Sequence, residues 1–439
     1  MSEQASGAAT REDTFASLRI PEYRRLWFTG VCSFGAIPAQ SIARGFLAFE
    51  LTGRNSALGL VLLAMGVPML VMTPIGGVVA DRFPKRTVLL VSTGLLWISA
   101  SGIGLMLFVD RLEFWMLVAS SVLQGMAFSL LGPTRMAFSA ELAGREHLAN
   151  AILLAQLSMN GTRVLGPSIA GALLGISVLG PRSVYVAVAV ILTLGFWLTA
   201  RLPAGDPVGA PSLSSPLADV TAGLRYVRSE PAVLWPVVMS LAVIALAFPY
   251  VAFLPSLVDE VYGVGPGWLG ALSTASAVGA VVASLSIARI GAARFGDRAV
   301  AVAAVVFAGL VVVLGLVPSV VLALVVVLLA GGANAGFQAL NNSLVLLRAD
   351  EAYHGRVQSL LMLGWSAFGI FAAPLGAIAD AVGLQRTLVA MGALAIAAVA
   401  ILHALIVRSA PGAAAQVAAT QVAEAPQSVS TALDPGGTR

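Results

Sequence analysis

The feature that most constrains this chain is a recurrence: about twelve runs of roughly 20 apolar residues, each long enough to cross a bilayer as a helix. They lie near 27–50, 57–80, 87–109, 114–139, 150–176, 183–201, 233–256, 267–289, 299–317, 319–347, 358–380 and 384–407. In hydrocarbon only a helix or a closed barrel satisfies its own backbone polar groups, and runs of this length read as helices. Only 10% of the residues are charged, against about 25% in a soluble domain. The expected fold is therefore an all-α membrane protein with about twelve transmembrane helices.

Rare residue types narrow the function. A lone cysteine, Cys32, excludes an internal disulfide and a multi-cysteine metal site. Lys85, the sole lysine, follows Pro84, so no Gly-Lys-Ser/Thr phosphate loop exists and direct ATP hydrolysis is not expected. His147, His354 and His403 lie in loops or near a span end and suggest no metal set. No cofactor, metal or nucleic acid is expected. The expected partners are the lipid bilayer, a small-molecule substrate and a proton gradient, and the expected state is a monomer.

Basic residues set the orientation. With the N-terminus placed inside, eighteen Lys and Arg fall in cytoplasmic segments and four (Arg54, Arg111, Arg182, Arg386) outside. Both termini are then cytoplasmic, in a multi-pass protein of a bacterial inner membrane. The polar first 26 residues show no signal peptide, so the first span is expected to be its own insertion signal. The chain divides into an N-terminal tail (1–23), a six-helix bundle (24–201), a cytosolic linker (202–232), a second bundle (233–408) and a disordered tail (409–439). Within the linker, Leu217, Val220, Leu224 and Val227 have the spacing of a short amphipathic helix.

The two halves echo each other at an offset of about 207 residues: Gly125 falls on Gly331, His147 on His354 and Pro167 on Pro374. A six-plus-six repeat around a midplane site is the organisation of alternating-access transporters.

After the second span runs Gly77-Val-Val-Ala-Asp81-Arg82-Phe-Pro-Lys85-Arg86. It resembles the signature loop of the major facilitator superfamily, Gly-x-x-x-Asp-Arg/Lys-x-Gly-Arg/Lys-Arg/Lys, with Pro84 in place of the second glycine. Gly77 is expected to permit close helix approach. The resemblance implies that Asp81, with Arg82, Lys85 and Arg86, docks against the eleventh span as a conformational latch. Further stretches resemble the drug- and siderophore-exporting, enterobactin-exporter-like branch. They are Ala43-Arg-Gly-Phe-Leu-Ala-Phe-Glu-Leu-Thr-Gly, Gly132-Pro-Thr-Arg-Met-Ala, and Asn160-Gly-Thr-Arg-Val-Leu-Gly-Pro-Ser-Ile-Ala-Gly171. The last is similar to the antiporter motif Gly-Pro-x-x-Gly-Gly. Ala170 replaces one glycine, while Gly166, Pro167 and Gly171 remain as a helix-packing motif.

Three arginines lie inside spans: Arg44, Arg135 and Arg163. A charge at mid-depth costs at least about 2.5–3.5 kcal/mol, which makes each a functional candidate. Arg44 shares a helix face with Gln40, and Arg163 with Gln156 and Asn160. Asn334, Gln338 and Asn341 form a polar stripe on span ten. These residues are the expected substrate cavity, although Arg44 can instead pair with Glu50, Arg135 with Glu141, and the stripe can bond between helices. Cavity cations would favour anionic or oxygen-rich substrates. Carboxylates sit only near span ends, leaving Glu50, Glu141 and Asp380 as proton-coupling candidates.

The sequence thus points to a secondary active transporter that exports a small molecule (a drug, siderophore or metabolite), in exchange for protons, and not to an enzyme. Uptake by the same fold, or a non-transporting membrane sensor, is the alternative.

Overall fold

A computed structural model of the chain describes residues 16–175, 180–205, 216–291, 294–350 and 353–423. The side chains of Asp81, Gln156, Asn160, Arg163 and Pro167 lie outside the described residues. The described chain is helical throughout. A 3-10 turn (Ala16–Arg19) leads into α1 (Pro21–Thr52), followed by α2 (Asn55–Arg82), α3 (Lys85–Phe108), α4 (Phe114–Gly175) and α5 (Gly180–Ala200). A linker helix, α6 (Pro216–Ser229), precedes α7 (Pro231–Leu246), α8 (Gly267–Ile290), α9 (Asp297–Leu316), α10 (Val320–Arg348), α11 (His354–Val382) and α12 (Leu384–Ala423).

Two departures from the sequence reading concern continuity. The fourth and fifth expected spans are two helices, the two arms of α4, joined with no intervening loop by Gly144 alone, whose φ of 69° and ψ of 173° are non-helical. Glycine adopts this conformation without a Cβ penalty. The seventh span, by contrast, is less regular than expected. After α7 it continues as a 3-10 stretch (Phe248–Phe253), a short turn (Leu254–Ser256) and a π turn (Leu257–Val261). Pro249 and Pro255 each remove a backbone donor there, which explains the loss of regular α-geometry. Ten stretches among the described residues are long and apolar enough to cross a membrane. α1, which carries Arg24, Arg25, Arg44 and Glu50, and the second arm of α4 complete the expected twelve.

The helices pack as two bundles. α1 lies against α4 and α5, and α3 against both; in the second bundle α8 packs on α10, and α9 on α10 and α12. Large apolar side chains such as Val190, Leu316, Val321 and Ile401 remain exposed, as a lipid-facing belt requires. Between bundles the principal contacts are α2 with α11 and the second arm of α4 with α8.

Glycine makes both seams possible. A Cβ added to Gly376 would collide with the Asn55 carbonyl, one on Gly59 with Ala372 and Ala373, and one on Gly66 with Ser366 and Gly369. On the other seam, Gly171 and Gly270 meet backbone to backbone. Small residues let helix axes approach where lipid gives no hydrophobic driving force. All these contacts belong to the half of the molecule away from the linker, here termed the distal half. Toward the linker face Gly76 of α2 packs on Ser129 of its own bundle, and a Cβ on Gly77 would meet nothing within 4 Å. The seam is tight in its distal half.

The linker helix docks under the second bundle. Tyr226 stacks on Tyr353 with ring centroids 4.0 Å apart, and its hydroxyl accepts a hydrogen bond from the Asp350 backbone N–H (2.9 Å). Burial raises the Tyr226 phenol above its ordinary range, so it stays protonated at neutral pH.

Candidate functional site: buried polar groups and the seams between bundles

Sequence reasoning placed Gln40, Arg44 and Arg135 on a cavity wall; the structure encloses all three within the first bundle. Arg44 is 1% exposed. Its Nη1 donates to Ser121 Oγ (3.1 Å) and Gln124 Oε1 (2.5 Å), and its Nη2 to Gln40 Oε1 (3.2 Å). Gln124 in turn donates to the Ile37 carbonyl (3.0 Å). Thus α1 and the first arm of α4 are joined by one guanidinium, solvated by neutral oxygens. Neutral partners lower the cost of burying a charge without cancelling it. No carboxylate pairs with Arg44 among the described residues, so the Glu50 alternative is not realised; Glu50 is exposed at the end of α1.

Arg135 occupies a cradle. Its guanidinium fills the volume that a Cβ on Gly30 would take, donates to the Trp27 carbonyl (3.1 Å) and lies 5.4 Å from the centre of the Phe34 ring. This arrangement combines a hydrogen bond with a cation–π contact. Glu141 is not its partner: that carboxylate binds Lys85 Nζ at 2.6 Å. With two of the three span arginines enclosed, the inference from cavity cations to anionic substrates loses most of its basis. The third, Arg163, lies outside the described side chains, as do Gln156 and Asn160.

In the second bundle Asn341 is 1% exposed, while Asn334 and Gln338 are half-buried. Asn334 Oδ1, Gln338 Nε2 and Asn341 Oδ1 are enclosed without a hydrogen-bond partner among the described residues. Phe248 meets Trp365 and Phe368 edge-on, each at 5.1 Å between centroids.

The signature loop needs a correction. Close approach belongs to Gly76, not Gly77, as the open space around Gly77 shows. Arg82 is exposed. Lys85 and Arg86 bind their own bundle: besides the Lys85–Glu141 pair, Arg86 donates from Nη1 to the Leu202 carbonyl and from its backbone N–H to the Ala204 carbonyl, each at 3.1 Å. Phe83 and Pro84 are both extended, with φ of −113° and −53°. The turn demands no positive φ, so proline fits where the signature has glycine. Gly166, in the second arm of α4, packs against Gly35 and Pro38 of α1.

The structure also shows partners that sequence reasoning missed. Arg348 Nη2 pairs with Asp297 at 2.8 Å, and both ends of that pair are visible in the sequence as span-end charges. On the distal face, Asp380 accepts from the backbone N–H groups of Asn55 (2.6 Å) and Ser56 (2.9 Å), and the Asn55 amide donates to both Glu260 oxygens (3.3 Å). Glu260 escaped notice because the seventh span was expected to end at 256, short of the π turn that carries it.

Against known proteins, residues 12–436 match the model of the transmembrane secretion effector family. The chain belongs to this family of major facilitator transporters. Curated relatives include the enterobactin exporter EntS of Shigella flexneri, 24% identical over 81% of this chain and 83% of the relative. The enterobactin exporter EntS of Escherichia coli (strain HS) is 23% identical over 81% and 84%. Among solved structures, a bacterial homolog of the human lysosomal transporter Spinster, in an inward-facing and unoccupied conformation, superposes with a TM-score of 0.72 at 15% identity. That match covers 89% of this chain and 97% of the other. The nucleoside transporter NupG gives 0.66 at 14%, over 87% and 98%. At these identities the structural likeness shows the fold alone. The protein is a multi-pass membrane transporter of the major facilitator type, not an enzyme.

Proposed function

We propose that this transporter exports a small molecule across a bacterial inner membrane by alternating access, in exchange for protons. The linker, both termini and the basic loops lie in the cytoplasm, and the two bundles (24–201 and 233–408) rock about the seams. The observation that carries this reading is the distal closure of the α2–α11 seam, glycine-tight from Gly376 to Gly66. Closure of the distal seam between the two bundles is what an inward-facing state of a rocking transporter requires. Export as the direction rests on the relatives named as exporters, and orientation on the basic residues.

Proton coupling has three candidate carriers. Glu141 is engaged by Lys85 and Asp380 by α2, whereas Glu50 stands exposed at the end of α1. The test is transport by inverted membrane vesicles against a compound panel, including catecholate siderophores, with a pH-sensitive dye inside. Substrate-dependent proton movement opposite to substrate is expected. Substrate accumulation unaffected by collapsing the proton gradient would exclude antiport, and labelling of a cysteine at Arg225 from the outside of intact cells would overturn the orientation.

A further inference from the structure

We infer that Asp380 is a conformational latch on the distal face, holding the two bundles together there by capping the first turn of α2. The inference rests on the rocking motion proposed above and adds the group that governs one end of it.

The first N–H groups of any helix lack intrahelical partners and are satisfied by caps. In α2 the N-cap residue, Arg54, makes no side-chain capping bond. The donors of Asn55 and Ser56 are taken up by a carboxylate 325 and 324 residues away in the sequence, on the opposite bundle. Gly376, one turn before Asp380, removes the side chain that would hold α11 off the Asn55 carbonyl. A third element joins through Asn55, whose amide meets Glu260 of the π turn after α7. Asn55 is buried although it lies at a helix end.

Asp380 occupies the last turn of α11, where the partial negative charge of its own helix disfavours a carboxylate. Its favourable environment is supplied by the positive end of α2. Parting the bundles distally would leave Asp380 facing its own helix terminus and leave two α2 donors uncapped. The energy of this contact therefore belongs to the distally closed state alone, which is the requirement for biasing a two-state equilibrium. α2 and α11 run antiparallel, so α2 ends in Asp81 on the linker face and α11 ends in Asp380 on the distal face.

The experiment measures the distal opening directly. Spin labels are placed at Arg111 and Pro318, in the distal loops of the two bundles, on a Cys32→Ala background, and their separation is recorded by pulsed electron resonance. Asp380→Ala should raise the ratio of long to short separations by on the order of tenfold, the value of one or two charge-assisted hydrogen bonds. Asn55→Pro approaches the same contact from the other side. Proline is favoured at the first helical position and lacks the N–H that Asp380 accepts, so α2 should persist and the same shift should appear. Glu260→Gln should shift the ratio less. Wild-type distance distributions in both Asp380→Ala and Asn55→Pro would overturn the latch. The distances require no substrate, so an absence of transport in every variant would count against export and leave the latch standing.

Discussion

The two bundles handle buried polarity in opposite ways. The first encloses two arginines: Arg44 among the oxygens of Ser121, Gln124 and Gln40, and Arg135 between the Trp27 carbonyl and the Phe34 ring. The second encloses neutral amides, Asn334, Gln338 and Asn341; in both bundles some of these groups keep an unpartnered atom among the described residues, Arg44 Nε and Arg135 Nε as well as Asn334 Oδ1 and Asn341 Oδ1. Even the ion pairs are inverted. In the first bundle the base sits at the start of α3 and the acid late in the first arm of α4 (Lys85–Glu141); in the second the acid starts α9 and the base ends α10 (Asp297–Arg348). The pairs occupy matching places in the repeat with charges exchanged. Repetition has kept the contact and not the residues. The first bundle thus buries charge at Arg44 and Arg135, and the second buries neutral amides at its polar stripe.

That contrast can be broken at its strongest point first. Gly30→Val should expel the Arg135 guanidinium, because a side chain there occupies its volume. The variant should lose roughly 3 kcal/mol or more of stability, as expected for a buried charge deprived of its site, read as a large drop in the thermal midpoint of detergent-solubilised protein. A near-normal midpoint would show that the cradle is not a fixed part of the scaffold.

The ion pairs test whether contact or polarity matters. Lys85→Glu and Glu141→Lys should each destabilise, and the double exchange should recover most of the loss, with a coupling of about 1 kcal/mol since Glu141 is partly solvent-exposed. Additive losses in the double variant would mean that Lys85 serves through packing and not through its charge.

The smallest effect is expected in the second bundle. Asn341→Leu removes an amide whose oxygen already lacks a partner, so stability should change by less than about 1 kcal/mol, while the transport rate falls if the amide serves substrate or a conformational step. A large loss of stability with unchanged transport per folded molecule would make Asn341 a structural residue like Arg44.

Much of the architecture was legible in the sequence because lipid imposes so simple a rule. Each run of about 20 apolar residues had to be a helix, and the linker helix announced itself by the spacing of Leu217 to Val227. The shortness of the turn within α4 was not legible: a polar stretch around Gly144-Arg-Glu-His reads as a loop, although one non-helical glycine alone separates the two helices. The site was less legible still. Arg44 and Arg135 were visible as costly charges, but only tertiary packing decides whether such a charge faces a cavity or its neighbours. The Asp380 contact joins residues more than 300 positions apart, and no local pattern in either helix specifies that register. Gly77 was chosen over Gly76 by the spacing of a motif, whereas a rotation of one residue on the helix decides which of them meets a neighbour.

The exchanged polarity of the two ion pairs bears on how a duplicated chain inserts without error. Two similar bundles emerging in sequence offer each other near-matching partners, and misassembly between repeats is a recurrent hazard of such proteins. If α3 were to associate with α10, Lys85 would face Arg348; if α9 were to associate with the first arm of α4, Asp297 would face Glu141. Both wrong pairings bring like charges together at the span ends, while both native pairings bring opposites together. A single inversion of sign between repeats thus gives each bundle an address that the other cannot answer.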